Sequence, residues 1–161
     1  KAMMELLYAT GIRVSELIGL ELSDLNMQIG YITCRDGLKE RMVPFGKTAS
    51  QAMSVYLERG RRELLKGKES PWLFTNCSGK AMSRQGFWKI IKYYGEKAGI
   101  QADITPHTLR HSFAAHLIRG GADVHAVQAM LGHSDSTTAQ MYAAYSGNTV
   151  RENYRAALPR K

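Results

Sequence analysis

Cysteine is scarce in this chain: Cys34 and Cys77 stand in unrelated segments, and no Cys-x-x-Cys pair occurs. That usage suggests neither a disulfide framework nor a zinc site, and the expected setting is a reducing cytoplasm. No apolar run approaches the roughly 18 residues of a membrane-crossing helix, and no charged-then-apolar leader opens the sequence, so neither membrane insertion nor export is expected. Internal repeats and low-complexity tracts are missing too. A Gly-rich phosphate loop and a cluster of metal-binding carboxylates are also lacking, which ranks a phosphohydrolase acting on small esters far behind other phosphate chemistries.

What is present is an ordinary globular composition with one bias. At 161 residues and 44% hydrophobic content the chain can build one domain around a real core. Its 22 Lys+Arg against 14 Asp+Glu leave a net charge of +8. That charge favours a polyanionic partner without identifying nucleic acid by itself. The opening Lys1-Ala2-Met3-Met4-Glu5-Leu6-Leu7 already reads as amphipathic helix, so the chain is expected to be part of something longer.

The pattern predicts a mainly α domain with a small antiparallel β-sheet (α+β) over residues 1–161. Residues 2–9 and 13–20 read as short helices broken at Gly11, with Asp24 a cap or turn residue beyond. Tyr31 to Cys34 and Arg41 to Pro44 flank a polar stretch with Asp36-Gly37 at its turn, a hairpin signal. Residues 48–65 carry Ala49, Ala52, Met53, Tyr56 and Leu57 at helical spacing, with Arg59, Arg61 and Arg62 on a solvated end. The stretch 67–79 is loop, interrupted by Trp72-Leu73-Phe74 as a short buried strand. Ser83 caps a helix running to Gly99, with Lys89, Lys92 and Lys97 outward. Thr105-Pro106 opens a helix that Gly120-Gly121 closes, Asp123 to Leu131 is another ended by Gly132, and Ser134 or Ser136 caps one carrying Tyr142. Val150 to Leu158 forms a last amphipathic segment.

Two of these elements carry residues suited to phosphate chemistry. Pro106-His107-Thr108-Leu109-Arg110-His111 and Leu131-Gly132-His133 are followed, nine residues past His133, by Tyr142. An arginine fork can hold two oxygens of a phosphodiester, histidines exchange protons near neutral pH, and a tyrosine oxygen can take over a phosphoryl group. His107 and Arg110, three apart on one helix, are expected to share a face and address one phosphate. A second arginine, Arg13, falls in the first turn after Gly11, where two guanidiniums could neutralise a pentacoordinate phosphorane. Glu16 could orient Arg13 or cap a surface. His111 is expected to pack or bond behind the site. The i, i+4 spacing of His107 and His111 matches a zinc pair, but Arg110 between them sets a positive charge against a cation and no Glu follows His107. His116 and His125 have no motif role.

With these residues in hand, the chain resembles the catalytic domain of the tyrosine recombinases, most closely the Xer and phage-integrase branch. The likeness runs from Leu6-Leu7-Tyr8-Ala9-Thr10-Gly11 through Glu40-Arg41-Met42-Val43-Pro44 and the Trp88 helix to Tyr142, about nine tenths of the chain. It implies cleavage of double-stranded DNA through a 3′-phosphotyrosine with a free 5′-hydroxyl, then strand exchange through a Holliday junction and religation. It implies Arg13, His107, Arg110 and His133 around the phosphate, Tyr142 as nucleophile with Tyr145 as fallback, and Glu16 orienting Arg13. Neither metal, ATP nor any other cofactor is required, since the phosphotyrosine stores the bond energy. Four protomers on two DNA sites, a tail from Val150 to Lys161 docking on a neighbour, and an N-terminal DNA-gripping domain missing from this chain are further implications.

One departure stands at the hairpin. Relatives usually read Gly-Lys-Gly-x-Lys-Glu-Arg, the first lysine protonating the departing 5′-oxygen, whereas this chain reads Arg35-Asp36-Gly37-Leu38-Lys39-Glu40-Arg41. Lys39 matches the second family lysine and serves as general acid only if the shortened turn re-aims it; otherwise it is a phosphate contact or a solvated turn residue. Arg35 holds its proton too tightly to donate well. A DNA-binding module with impaired catalysis and a type IB topoisomerase are the rival readings.

Overall fold

The computed structural model describes residues 1–37, 39–102 and 104–132, with only the backbone described at Asp36 and Lys39. His133, Tyr142, Tyr145, the Ser134 or Ser136 cap and the 150–161 tail lie outside the described residues.

The chain opens with α1 (Ala2–Thr10) and α2 (Val14–Ile18). Leu6 and Leu7 of α1 are fully buried, and the helix stops where Gly11 adopts φ 61° and donates its N–H to Leu7 O at 2.8 Å. The second helix is shorter than the sequence pattern predicts. After it, Leu22–Asp24 forms a single 3-10 turn, in which the Asp24 carboxylate accepts from the Glu21 N–H at 2.9 Å. Asp24 therefore acts as the turn residue expected of it.

Three antiparallel strands follow, β1 (Leu25–Asn26), β2 (Tyr31–Asp36) and β3 (Lys39–Pro44), in the order β1-β2-β3. The hairpin is longer than expected: pairing continues through Arg35↔Glu40 to Asp36↔Lys39, so Asp36 ends a strand and does not form the turn. Period-2 alternation sets the inner face. Ile32, Cys34 and Val43 are buried, while Met42 is 59% exposed.

Helical backbone then runs without a break through α3 (Lys47–Val55), a π-helical turn at Tyr56–Gly60 and α4 (Arg61–Leu65). A π turn accommodates one more residue per turn than its flanks. Ala49 and Met53 bury the inner side of α3. Arg61 is not on a solvated end: its guanidinium reaches back to Ser70 O at 2.6 Å and Trp72 O at 2.9 Å. The loop it grips buries Leu73 and Phe74, and Leu73 N–H donates to Leu20 O at 2.8 Å. In place of a strand, the loop makes isolated bridges, Glu21↔Trp72 and Thr75↔Ala81.

Three capped helices complete the described fold. They are α5 (Arg84–Lys97), α6 (Pro106–Arg119) and α7 (Val124–Leu131). Each is started by the residue the sequence nominates: Ser83 accepts from Gly86 N, Thr105 from Thr108 N and Asp123 from Ala126 N, satisfying N–H groups that otherwise lack partners. Phe74, Phe87 and Phe113 fill the centre with almost no exposure. Burial of such a side chain contributes about 1.5–3 kcal/mol. No helix among the described residues is long and apolar enough to cross a membrane.

Candidate active site

The site is assembled where the end of α1 meets the end of α7. A Cβ at Gly11 would fall 2.2 Å from Phe113 Cδ1 and 2.8 Å from Leu131 Cδ2. Only a glycine allows the chain to turn with positive φ while α6 and α7 press this closely. The contact brings Gly11 O to Arg110, whose Nη1 donates to it at 2.5 Å while Nη2 donates to Leu131 O at 2.6 Å.

Arg13 follows Gly11 by two residues and begins α2 in an extended conformation, its N–H donating to Glu16 Oε2 at 2.7 Å. Its Nη2 donates to Gly132 O at 3.1 Å. Arg41, from β3, donates through Nε to Met130 O at 2.9 Å. Three arginines from three distant segments thus bond the successive carbonyls of Met130, Leu131 and Gly132. Among the described residues those carbonyls have no helical partners, and they sit at the negative end of the α7 dipole, which favours cations there. Gly132 itself takes φ 64° and closes the helix.

Glu16 is the counter-charge. Its side chain is only 6% exposed, and Oε1 lies 2.7 Å from Arg41 Nη1 but 4.0 Å from Arg13 Nη1. The approach to Arg41 is a close ion pair, off the axis of a good hydrogen bond. Burial, with Arg13 and Arg41 nearby, pushes Arg110 down to about 10, so its guanidinium keeps its proton at neutral pH. Beneath the cluster, burial and the Glu16 charge push the Cys34 thiol up to about 12.

The histidines of α6 behave differently from expectation. His107 and His111 are both exposed, with Nε2 atoms 2.9 Å apart and rings edge-on. Arg110, three residues from His107, is buried at 8% exposure. Arg110 turns inward to the carbonyls, while His107 stays exposed. For the same reason the charge of Arg110 does not stand between the two imidazoles. No third His, Cys, Asp or Glu joins them as a metal-binding group among the described residues. His116 Nδ1 is 2.6 Å from Tyr8 Oη, tying α6 to α1, and His125 is exposed.

At the hairpin, Arg35 forms an ion pair with Asp24 and donates from Nε to Glu40 Oε1 at 2.8 Å. The side chain of Lys39 is outside the described residues. Of the nominated residues, the structure brings Arg13 and Arg110 to adjacent carbonyls and leaves His107 exposed on α6.

Arg41 and its place in this cluster escaped the motif reading. The signal was there: in β3 it lies opposite the buried Cys34 and two positions before the buried Val43, so alternation turns it inward.

The fold is that of tyrosine recombinase catalytic domains. Residues 1–148 match the Phage integrase family, and the chain belongs to that family. It is 49% identical to tyrosine recombinase XerD of Halalkalibacterium halodurans, over 99% of this chain and 54% of that protein. It is 50% identical to tyrosine recombinase XerD of Staphylococcus epidermidis, over 99% of this chain and 55% of the relative. The chain therefore spans about half the length of these relatives. Among solved structures, XerA recombinase superposes with a TM-score of 0.79 at 33% identity, covering 99% of this chain and 58% of that one. XerH site-specific recombinase bound to difH substrate gives a TM-score of 0.75 at 28% identity, covering 88% of this chain and 41% of that one.

Proposed function

We propose that this chain is the catalytic part of a site-specific DNA recombinase that cuts and rejoins double-stranded DNA through a tyrosine-linked intermediate. The observation that carries the reading is the gathering of Arg13, Arg41 and Arg110 on the carbonyls of residues 130 to 132, directly before His133 in the chain. A guanidinium has five N–H donors, so bonds that hold it in place also aim it. Support for DNA as substrate comes from the net charge of +8 and from the XerH relative, which is bound to its difH substrate.

In this mechanism Arg13 and Arg110 stabilise the nonbridging oxygens of the scissile phosphate, with His107 and His133 completing the set of donors. The Tyr142 oxygen bonds to phosphorus, its phenolic proton passing to solvent, as the bond to the 5′-oxygen breaks, and Lys39 supplies the proton that makes the leaving group a hydroxyl. Attack by a 5′-hydroxyl from the partner strand reverses each change and releases the tyrosine. Engagement of Arg35 by Asp24 and Glu40 favours Lys39 over Arg35 for the proton transfer. Four protomers on two sites complete the exchange.

A nicked suicide duplex traps the covalent intermediate, and mass mapping locates the modified residue. Adduct on Tyr142, abolished by Tyr142→Phe, is expected. An adduct that survives this substitution points to Tyr145, and no adduct under any condition leaves a DNA-binding module. Recombination of two sites, alongside a plasmid relaxation assay, separates strand exchange from topoisomerase action.

A further inference from the structure

We infer that Arg41 is a positioning residue for the strand-cleavage chemistry: it holds the Glu16 carboxylate off the Arg13 guanidinium and fixes the turn of α7 on which the clamp is built. The inference rests on the catalytic reading above.

Glu16 is almost wholly enclosed, and a buried carboxylate needs a cation. Two guanidiniums are within reach. Oε1 is 2.7 Å from Arg41 Nη1 and 4.0 Å from Arg13 Nη1, so the nearer charge is the one from β3. The two arginines differ in exposure as well: the side chain of Arg41 is 16% exposed and that of Arg13 is 40% exposed. Arg13 is thus the member of the pair presented outward, while Arg41 faces the carboxylate. Without charge at position 41, Arg13 is the cation closest at hand, and rotation of its side chain would close its fork on Glu16 in competition with a phosphate.

The second half of the role is steric. Arg41 Nε bonds Met130 O at 2.9 Å, and a Cβ on Gly132 would fall 2.8 Å from Arg41 Cζ. The planar guanidinium therefore packs flat against the left-handed turn that delivers Gly132 O to Arg13. A lysine would retain the charge but lose the second donor that lets one head group touch both Glu16 and Met130.

The test uses the full-length protein and a nicked duplex recovered from a randomised pool by covalent capture on the unmodified enzyme. At saturating duplex, Arg41→Gln is expected to slow adduct formation about 100-fold, the scale of a small misplacement of catalytic groups. Glu16→Gln/Arg41→Gln should regain about ten-fold of that loss, because a neutral amide at position 16 can still accept from the Arg13 N–H but no longer draws in its side chain. Loss of fold alone predicts no such rescue, and thermal melts of each variant follow that separately. The dependence of duplex affinity on salt should be unchanged in Glu16→Gln/Arg41→Gln, where Arg13 is released and Arg41 itself neutralises no phosphate. A double variant no faster than Arg41→Gln, or one whose salt slope is reduced by one phosphate contact, overturns the inference. Should Arg41→Gln not fold, Arg41→Lys, which keeps the charge on Glu16 but loses the second donor to Met130 O, carries the test: a rate lowered about ten-fold at saturating duplex with an unchanged salt slope supports the role, and a rate equal to that of the unmodified protein or a salt slope reduced by one phosphate contact sinks it. If the unmodified protein captures no duplex, the catalytic reading fails instead.

Discussion

Positive charge is placed in two contrasting ways in this molecule. At the end of α7, the guanidiniums of Arg13, Arg41 and Arg110 are drawn into the fold and bonded to backbone carbonyls, with Glu16 enclosed among them. Along α5, Lys89, Lys92 and Lys97 stand exposed beside Trp88 and Tyr93, which are 41% and 57% exposed. The first group is oriented and partly desolvated; the second is a solvated face that can follow a polyanion without fixing any one phosphate. Net charge cannot tell these apart. Solvation and geometry can, and in the proposed function they divide the labour into chemistry and attachment.

The sharpest way to break this contrast is Arg110→Ala. It removes the donors to Gly11 O and Leu131 O together with the proposed phosphate ligand, so adduct formation should fall by about 10³-fold, read by gel on a suicide duplex. Gly132→Ala comes next. Its φ of 64° and the approach to Arg41 Cζ predict a loss of about 1–3 kcal/mol of stability by denaturant melt, with slower cleavage at saturating DNA. On the other face, Lys92→Ala should lower the slope of log affinity against log salt by about one and leave cleavage at saturation unchanged. A fall in the saturated rate would erase the proposed division.

The smallest effect is a pH dependence from beneath the arginines. Burial, then the charge of Glu16, raises the Cys34 thiol from its ordinary 9.0 to about 12. The fold therefore favours the neutral thiol, and its contribution to stability is complete below about pH 9. It is lost as pH rises toward 12, because the unfolded chain ionises first. Chemical denaturation across that window should show a decline that Cys34→Ala removes.

Much of the frame was legible because local rules decided it. Ser83, Thr105 and Asp123 cap helices as their side chains predict, and Gly11 and Gly132 end helices with the positive φ that their lack of Cβ permits. The convergence of Arg13 with Arg110 followed from family likeness rather than from spacing, since 97 residues separate them in the sequence. What motif reading missed depended on three-dimensional context. His107 and Arg110 look alike at i, i+3, yet one is exposed and the other buried, because helix spacing gives a rough face and not the depth of each residue. Arg41 looked like part of a strand signature until its parity with Val43 placed it inside. Leu73 and Phe74 are buried as expected and Trp72 is half-buried, but the segment's partners are single bridges rather than a ladder.

The widened turn at Tyr56–Gly60 has a consequence for chain length. Tyr56 Oη donates to Leu73 O at 3.0 Å, and Arg61 holds Ser70 O and Trp72 O of the same loop. Five residues apart on a regular helix, their side chains would diverge by about 140°. The additional residue in the turn rotates them toward a common side. Excision of a single position between 57 and 60 would leave Tyr56 and Arg61 four residues apart on a regular helix, about 40° from one another, so both ends of that loop would stay fastened and this stretch, none of whose residues is deeply enclosed, should tolerate shortening by one residue.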